Sequence, residues 1–282
     1  MQLKQRLGAG VKAFMYPKRP VARPFGAQPE RLVIDQLLAG VSALITGAGR
    51  NIGRRIALEM AAHGADVYCT DIDSDSAASL TAELAKLPIK SRVFLSDISQ
   101  SSEADSLCAA LRNEGIEVNA LINNVGIAGS DMQRVLQTNV IGPAYLTDLI
   151  SGQMIERGLP ASILFVSSIH QETVHRWSAA YSASKGALGM LIKELALDLA
   201  RHEIRVNGIA PGFVEEDQNG ATVPWPFTPL RGSSINPAYI GRAAVYLTAE
   251  YFSRHTTGSV VTIDGGLSLF NYMSAIEAGL KL

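Results

Sequence analysis

The sequence predicts an α/β fold: a doubly wound parallel sheet of about seven strands with helices on both faces. Three observations carry that expectation. From residue 41 onward, short runs rich in Val, Ile and Leu alternate with longer stretches of helical period. The runs are apolar almost throughout, as strands buried on both faces are. The chain also has 282 residues, 47% of them hydrophobic, enough for one sizeable core.

The strands fall at 41–46, 66–71, 91–95, 119–122, 161–167, 204–210 and 259–263. The first is Val41-Ser42-Ala43-Leu44-Ile45-Thr46, closed by Gly47; the second, Asp66-Val67-Tyr68-Cys69-Thr70-Asp71, begins and ends on an acid. The helical stretches fall at 51–63, 75–87, 100–114, 132–152, 179–202 and 236–250. Each lies between two strands and serves as a crossover. One connection is long: residues 212–235 hold Pro224, Trp225, Pro226 and Pro229 without a regular period. Such a loop inside a compact domain is usually functional. The expected organisation is an N-terminal extension, 1–37, and a single domain, 38–282, with a substrate loop near 212–235.

The formal net charge is −1, which leaves no footprint for nucleic acid or a membrane surface. No apolar run reaches the roughly 18–20 residues of a membrane helix. Cys69 and Cys108 sit in apolar runs, and a pair makes neither a disulfide framework nor a metal motif. The expectation is a reduced, cytoplasmic setting and no metal. Residues 1–29 carry Lys4, Arg6, Lys12, Lys18, Arg19 and Arg23 and no acid. A flexible extension, a basic arm and a transit peptide share that composition. A transit peptide is also serine-rich, and this segment has no serine. The Leu280-Lys281-Leu282 end is not read as a peroxisomal address.

The first strand runs into Thr46-Gly47-Ala48-Gly49-Arg50-Asn51-Ile52-Gly53, and a helix follows. Glycines there let the backbone turn tightly and approach a pyrophosphate, which the helix N-terminus stabilises. Asp71 ends the next strand, 18 residues beyond Gly53. A carboxylate in that place accepts hydrogen bonds from ribose hydroxyls and repels a 2′-phosphate. NAD is therefore expected over NADP. Arg50 argues the other way, since a guanidinium beside the loop can meet a 2′-phosphate or pair with Asp71.

Tyr181-Ser182-Ala183-Ser184-Lys185 opens a long helical stretch. Tyr181 and Lys185, four apart, share one helix face. A free tyrosine, with a pKa of about 10, is a poor base at neutral pH. A nearby ammonium favours the phenolate, so the pair can exchange a proton with a hydroxyl or carbonyl.

In this order of motifs, residues 38–268 resemble the short-chain dehydrogenase/reductase family, of Rossmann-like fold. Besides the glycine segment and Asp71, the resemblance rests on several further elements. Asp97 and Ile98 stand where the family contacts adenine. Asn123-Asn124-Val125-Gly126 borders the cofactor, Asn139 matches the helix asparagine of a proton relay, and Ser168 lies 13 residues before Tyr181. Pro211-Gly212 matches the turn beside the nicotinamide, and Asp264-Gly265-Gly266 the last strand ending.

The resemblance implies hydride transfer on an alcohol or ketone with Tyr181 as acid/base. Lys185 lowers the tyrosine pKa and binds ribose, Ser168 orients the substrate oxygen, and Asn139 holds a relay water. It implies a cofactor set of Gly47, Arg50, Asn51, Ile52, Gly53, Asp71, Asp97, Ile98, Asn124, Val125, Gly126, Tyr181, Lys185, Pro211, Gly212 and Val214. It also implies a homodimer or homotetramer through the helices at 132–152 and 179–202. Leu188, Leu191, Leu195 and Leu199 serve either that face or the sheet.

Three departures stand out. Asn51 replaces the family's middle glycine, at a place needing positive φ, which asparagine tolerates better than most residues. Only 15 residues separate Asn124 from Asn139, so the start of that helix is cut down. Phe213-Val214-Glu215-Glu216-Asp217 puts acids where the family often has a threonine, which is electrostatically awkward beside a pyrophosphate.

The polar run Ser168-Ile169-His170-Gln171-Glu172 is similar to that of family members acting on sugars and polyols. Ser168, His170, Gln171, Tyr181 and Trp225 are the expected substrate residues, with His175 and Trp177 nearby. The expected function is NAD-linked interconversion of a polar secondary alcohol and ketone. Two alternatives stay open: an NADPH-dependent ketoreductase, and a non-catalytic NAD-binding scaffold.

Overall fold

The computed structural model describes residues 36–174, 178–217 and 220–269, all within one compact unit. The basic segment before residue 36, His175, Trp177 and the chain after 269 lie outside the described residues.

Seven strands form one sheet: β1 (Ser42–Thr46), β2 (Asp66–Asp71), β3 (Ser91–Leu95), β4 (Ala120–Asn123), β5 (Ala161–Val166), β6 (Ile204–Pro211) and β7 (Val260–Ile263). Their order is β3-β2-β1-β4-β5-β6-β7, and every pairing is parallel. The helices are α1 (Asn51–Ala62), α2 (Ser74–Leu84), α3 (Ser101–Asn113), α4 (Met132–Leu136), α5 (Gly142–Arg157), α6 (Ala179–Leu199), α7 (Pro237–Thr248) and the short α8 (Glu250–Ser253).

The strand period of two divides the core. Ala43 and Ile45 of β1, Ile122 of β4 and Leu164 of β5 pack with α1, α2 and α7 on one face. Leu44, Leu121, Ile163 and Phe165 pack with α3, α5 and α6 on the other. The sheet is therefore doubly wound, as the apolar runs predicted. On α6, Leu188 and Leu199 are buried against the sheet and Leu191 and Leu195 pack beside them. That leucine stripe is core. The large apolar side chains that α6 leaves exposed are Met190 and Leu197.

The stretch expected as one helix at 132–152 is three pieces. A π turn, Gln137–Ile141, separates α4 from α5, and the Gly142 amide reaches back to the Gln137 carbonyl. Here α5 presses close to the β3–α3 turn: a Cβ on Gly142 would lie 2.5 Å from the Ile98 carbonyl oxygen. Residues 212–235, expected to be irregular, are tied by isolated bridges Val214–Ile235, Glu216–Thr222 and Pro224–Ser233. Ser234 Oγ donates to the Glu215 carbonyl and accepts from the Val223 amide, and Trp225 stacks on Phe213 at 4.3 Å.

The C-terminus of α7 is capped from outside its own helix. Arg205 of β6 donates to the carbonyls of Leu247 and Thr248 and to Ser253 Oγ, at 2.6, 2.9 and 2.9 Å. A guanidinium suits these orphan carbonyls and the negative end of the helix dipole. Hydrogen bonds to a charged group are the stronger kind, so Arg205→Met should cost about 2–3 kcal/mol. The expected readout is a lower urea midpoint at unchanged slope.

Candidate active site

The strand order reverses between β1 and β4, because their following helices leave to opposite faces. A crevice opens there, at the C-terminal strand ends. Asn124 closes its floor. Its Nδ2 donates to the carbonyls of Thr46 and Gly47, both at 2.9 Å, while its amide donates to Thr46 Oγ1 at 3.0 Å. Gly53 of α1 then packs onto the Gly47 carbonyl so closely that a Cβ has no room. Gly47 and Asn51 both take positive φ, +62° and +50°. Asn51 thus adopts the left-handed conformation expected of the glycine it replaces.

A cleft of about 580 Å³ lies over this floor. Gly47, Arg50, Asn51, Ile52, Gly53, Asp71, Asp97, Ile98, Asn124, Val125 and Gly126 all line it. So do Ile72, Ser96, Ile127 and Thr138, which the sequence reading missed. Ile72 carried a usable signal, a large apolar residue directly after Asp71, and it is 75% exposed.

The donor set fits a dinucleotide. α2, α4 and α7 are capped by the side chains of Asp73, Asp131 and Asn236, but α1 has no side-chain cap and no acid in its first turn. Its leading amides are left for an anion in the cleft. Asp71 accepts from the Gly49 amide at 2.7 Å and the Asp73 amide at 3.0 Å, which fixes its carboxylate at the cleft wall. Arg50 is exposed at the rim and makes no ion pair among the described residues; its charge acts on Asp73 rather than pairing with Asp71. Asp97 is pinned by Ser99, whose amide and hydroxyl both donate to it.

The fifth strand and α6 bring the second group together. Ser168 follows β5, is buried, and accepts from the His170 amide at 3.2 Å. Tyr181 sits in the first turn of α6. The Lys185 ammonium lies 5.5 Å from the centre of its ring and donates to the Val166 carbonyl at 2.9 Å. Burial pushes the Tyr181 phenol up, and a hydrogen bond with Ser168 pulls it partly back. Lys185 is itself fully desolvated, its pKa pulled down to about 8, and its ammonium is engaged with the backbone.

Asn139 stands in the π turn, fully buried. Its Oδ1 accepts from the Ile127 amide, and its Nδ2 donates to the Ile127 carbonyl and to Ser184 Oγ, at 2.8, 2.9 and 2.9 Å. Both amide hydrogens are thus given to protein groups, so the side chain acts as a clamp. The expected water-holding role does not fall to those hydrogens.

His170 is brought to the tyrosine, ring edge to ring face at 6.1 Å. Gln171 is not: its amide packs against Gly189, eight residues further along α6, and bonds Glu172. At 1.5 Å per residue that is about 12 Å down the helix. Trp225 joins Phe213 and Phe227 in an aromatic cluster of the loop. Val214 packs on the core of the α1 face, Pro211 ends β6 against Ile263, and Gly212 abuts Asp264; none of these three lines the cleft. The acids are disposed of locally. Glu216 pairs with Arg55 of α1 at 3.4 Å, and Asp217 accepts from the Ala221 amide.

A nucleotide cleft that ends beside a half-buried tyrosine paired with a buried lysine defines a dinucleotide-dependent oxidoreductase. The family model for short chain dehydrogenase matches residues 42–226. The chain is 31% identical over 244 residues to 7α-hydroxysteroid dehydrogenase of Escherichia coli K12, covering 81% of this chain and 94% of the relative. Its fold matches a gluconate 5-dehydrogenase from Burkholderia cenocepacia in complex with NADP and tartrate. The TM-score is 0.76 at 27% identity, over 84% of this chain and 99% of that one. It also matches a 7α-hydroxysteroid dehydrogenase complexed with NADH and 7-oxo glycochenodeoxycholic acid, with TM-score 0.75 at 31% identity, over 84% and 98%. The chain belongs to the short-chain dehydrogenase/reductase family. It is an NAD(P)-dependent enzyme acting on CH–OH and C=O groups of small molecules. Among the described residues no helix is long and apolar enough to cross a membrane.

The two loop positions separate by experiment. Gly53→Ala should overpack the Gly47 carbonyl, costing about 1–3 kcal/mol in thermal unfolding and weakening NAD in calorimetric titration. Asn51→Gly, which only relieves a positive φ, should leave both nearly unchanged.

Proposed function

We propose that this protein interconverts a secondary alcohol and its ketone with NAD, using Tyr181 as the acid/base. The observation that carries the reading is Tyr181 held between Ser168 and Lys185, beside the glycine-floored cleft. The bound nicotinamide supplies the hydride acceptor or donor. Tyr181 takes the alcohol proton in oxidation and returns it in reduction. Ser168 hydrogen-bonds the substrate oxygen and the phenol together. Lys185 adds positive charge behind the phenolate and would hold the nicotinamide ribose. Asn139 keeps the cleft wall and α6 in register.

NAD is proposed over NADP because the fixed Asp71 carboxylate would face a 2′-phosphate. The reading that Arg50 favours, NADP, rests on an exposed and mobile type of side chain. Asp71→Ser should therefore raise the NADP-to-NAD preference about tenfold or more, which is about 1.4 kcal/mol of relieved repulsion. An unchanged preference would sink the ribose role of Asp71.

For the substrate, His170 at the edge of Tyr181 supports a polar alcohol with further hydroxyls, of the sugar or polyol kind. A second reading is an alcohol on an apolar body. The aromatic cluster Phe213, Trp225 and Phe227 and the withdrawal of Gln171 to α6 favour it. Absorbance at 340 nm with NAD and a panel of gluconate, glucose and 7-hydroxysteroids decides between them.

We place residues 38–282 in one catalytic domain, with 212–235 as its substrate loop. Exposed Met190, Leu197 and Ile141 on the α5–α6 side support a homodimer or homotetramer. Two buried thiols, both pushed up by burial, suit a reducing cytoplasm.

Tyr181→Phe should lower kcat by about 10²–10⁴ while NAD still binds. Oxidation needs the phenolate, and burial raises the phenol pKa, so oxidation should climb with pH past neutrality. Reduction needs the phenol and should stay level over the same range. A pH-independent oxidation rate in steady-state assays contradicts the assignment.

A further inference from the structure

We propose that Ser184 is a positioning residue that ties the first turn of α6, and with it Tyr181, to the wall of the cofactor cleft. The proposal rests on the reading of Tyr181 as acid/base and deepens it.

Tyr181 needs an anchor because its helix starts without one. The N-cap of α6, Ser178, makes no side-chain capping bond, so that turn carries orphan amides. Ser182, next to Tyr181, leaves its buried hydroxyl without a partner. Ser184 is different. It is fully buried, donates to the Tyr181 carbonyl at 2.7 Å and accepts from Asn139 Nδ2 at 2.9 Å.

Through Asn139 the chain of bonds continues to the amide and carbonyl of Ile127, a residue of the cleft wall. Every donor in it is used: two amide hydrogens of Asn139, one hydroxyl of Ser184, one amide of Ile127. A fully satisfied buried network holds one geometry. The link runs from the cleft wall through the π turn to the carbonyl of the tyrosine. A shift of that turn would change the distance between Tyr181 and Ser168, which comes from β5 and does not move with α6. The contact with Ser168 lowers the phenol pKa, so loosening it should raise that pKa.

The test uses the full-length protein labelled at tyrosine Cζ with carbon-13. Eight tyrosines give eight signals, and Tyr181→Phe identifies the one that matters. In Ser184→Ala the Tyr181 signal should move at neutral pH, and its titration should begin about half a pH unit or more higher. On the panel alcohol that turns over, kcat should fall about tenfold with NAD affinity held within about threefold. Ser184→Cys fills the same space with weaker bonds and should show the same shifts, smaller. It carries the test alone if the alanine variant does not fold. Ser182→Ala should behave as wild type.

A lower melting temperature with an unmoved Tyr181 signal would make Ser184 merely structural and overturn the proposal. A Tyr181→Phe protein that keeps its activity would instead overturn the acid/base reading, whatever the Ser184 spectra show.

Discussion

The three hydrogen bonds between Asn124 and Thr46–Gly47 are what the site is built on. Where a parallel sheet reverses its winding, adjacent strands end and their helices depart to opposite faces. The last carbonyls then have no ladder partner and must be satisfied locally. Asn124 does this for Thr46 and Gly47 at once. It thereby sets how deep the crevice is and where the Gly47 carbonyl points. That carbonyl decides that position 53 is glycine, and the close seating of α1 follows. The uncapped amides of α1 reach the cleft only because of it.

A second chain of polar groups joins this floor to the chemistry. The segment after Asn124 passes Gly126, where the Lys185 ammonium lies just beyond the backbone, to Ile127, which Asn139 grips on both sides. The π turn gives that grip its geometry, since a regular helix through Gln137–Ile141 would rotate Asn139 off Ile127. Such an arrangement costs stability. Lys185 is an ammonium removed from water with one carbonyl for company, and that desolvation pulls its pKa down. A site that needs a desolvated charge near its base accepts that cost.

Much of this was legible in the sequence. Apolar runs alternating with helical periods forecast the sheet and its two covered faces. The asparagine at position 51 could be read correctly, because positive φ is a property of residue type. What was not legible depended on tertiary partners. Gln137–Ile141 has ordinary helical composition, and only the bonds from Asn139 to distant Ile127 explain its widened turn. The Leu188–Leu199 stripe fits a sheet or a partner equally well until the sheet is seen to cover it. Gln171 has the chemistry of a substrate ligand, yet glycines at 186 and 189 open a groove on α6 that its side chain occupies instead. The Tyr181 pKa turned on burial, which spacing alone does not reveal.

The acidic loop shows how one local exchange can reshape a site without harming it. Carboxylates near a pyrophosphate would repel it, but Glu216 is drawn onto Arg55 and Asp217 onto its own turn. Arg55 belongs to α1, the helix whose uncapped N-terminus borders the cleft. The ion pair therefore links the 212–235 loop to α1 by charge. Being partly exposed, the pair is worth little as stability. It ties to α1 the same residue that bridges Thr222, in a loop where Phe213 stacks on Trp225. The short segment between Asn124 and Asn139 is tied back on itself, the Ile127 amide and carbonyl both meeting Asn139. The polar ties of Asn124 and Asn139 hold the floor and the first turn of α6, and the ion pair with its neighbouring bridges holds the loop.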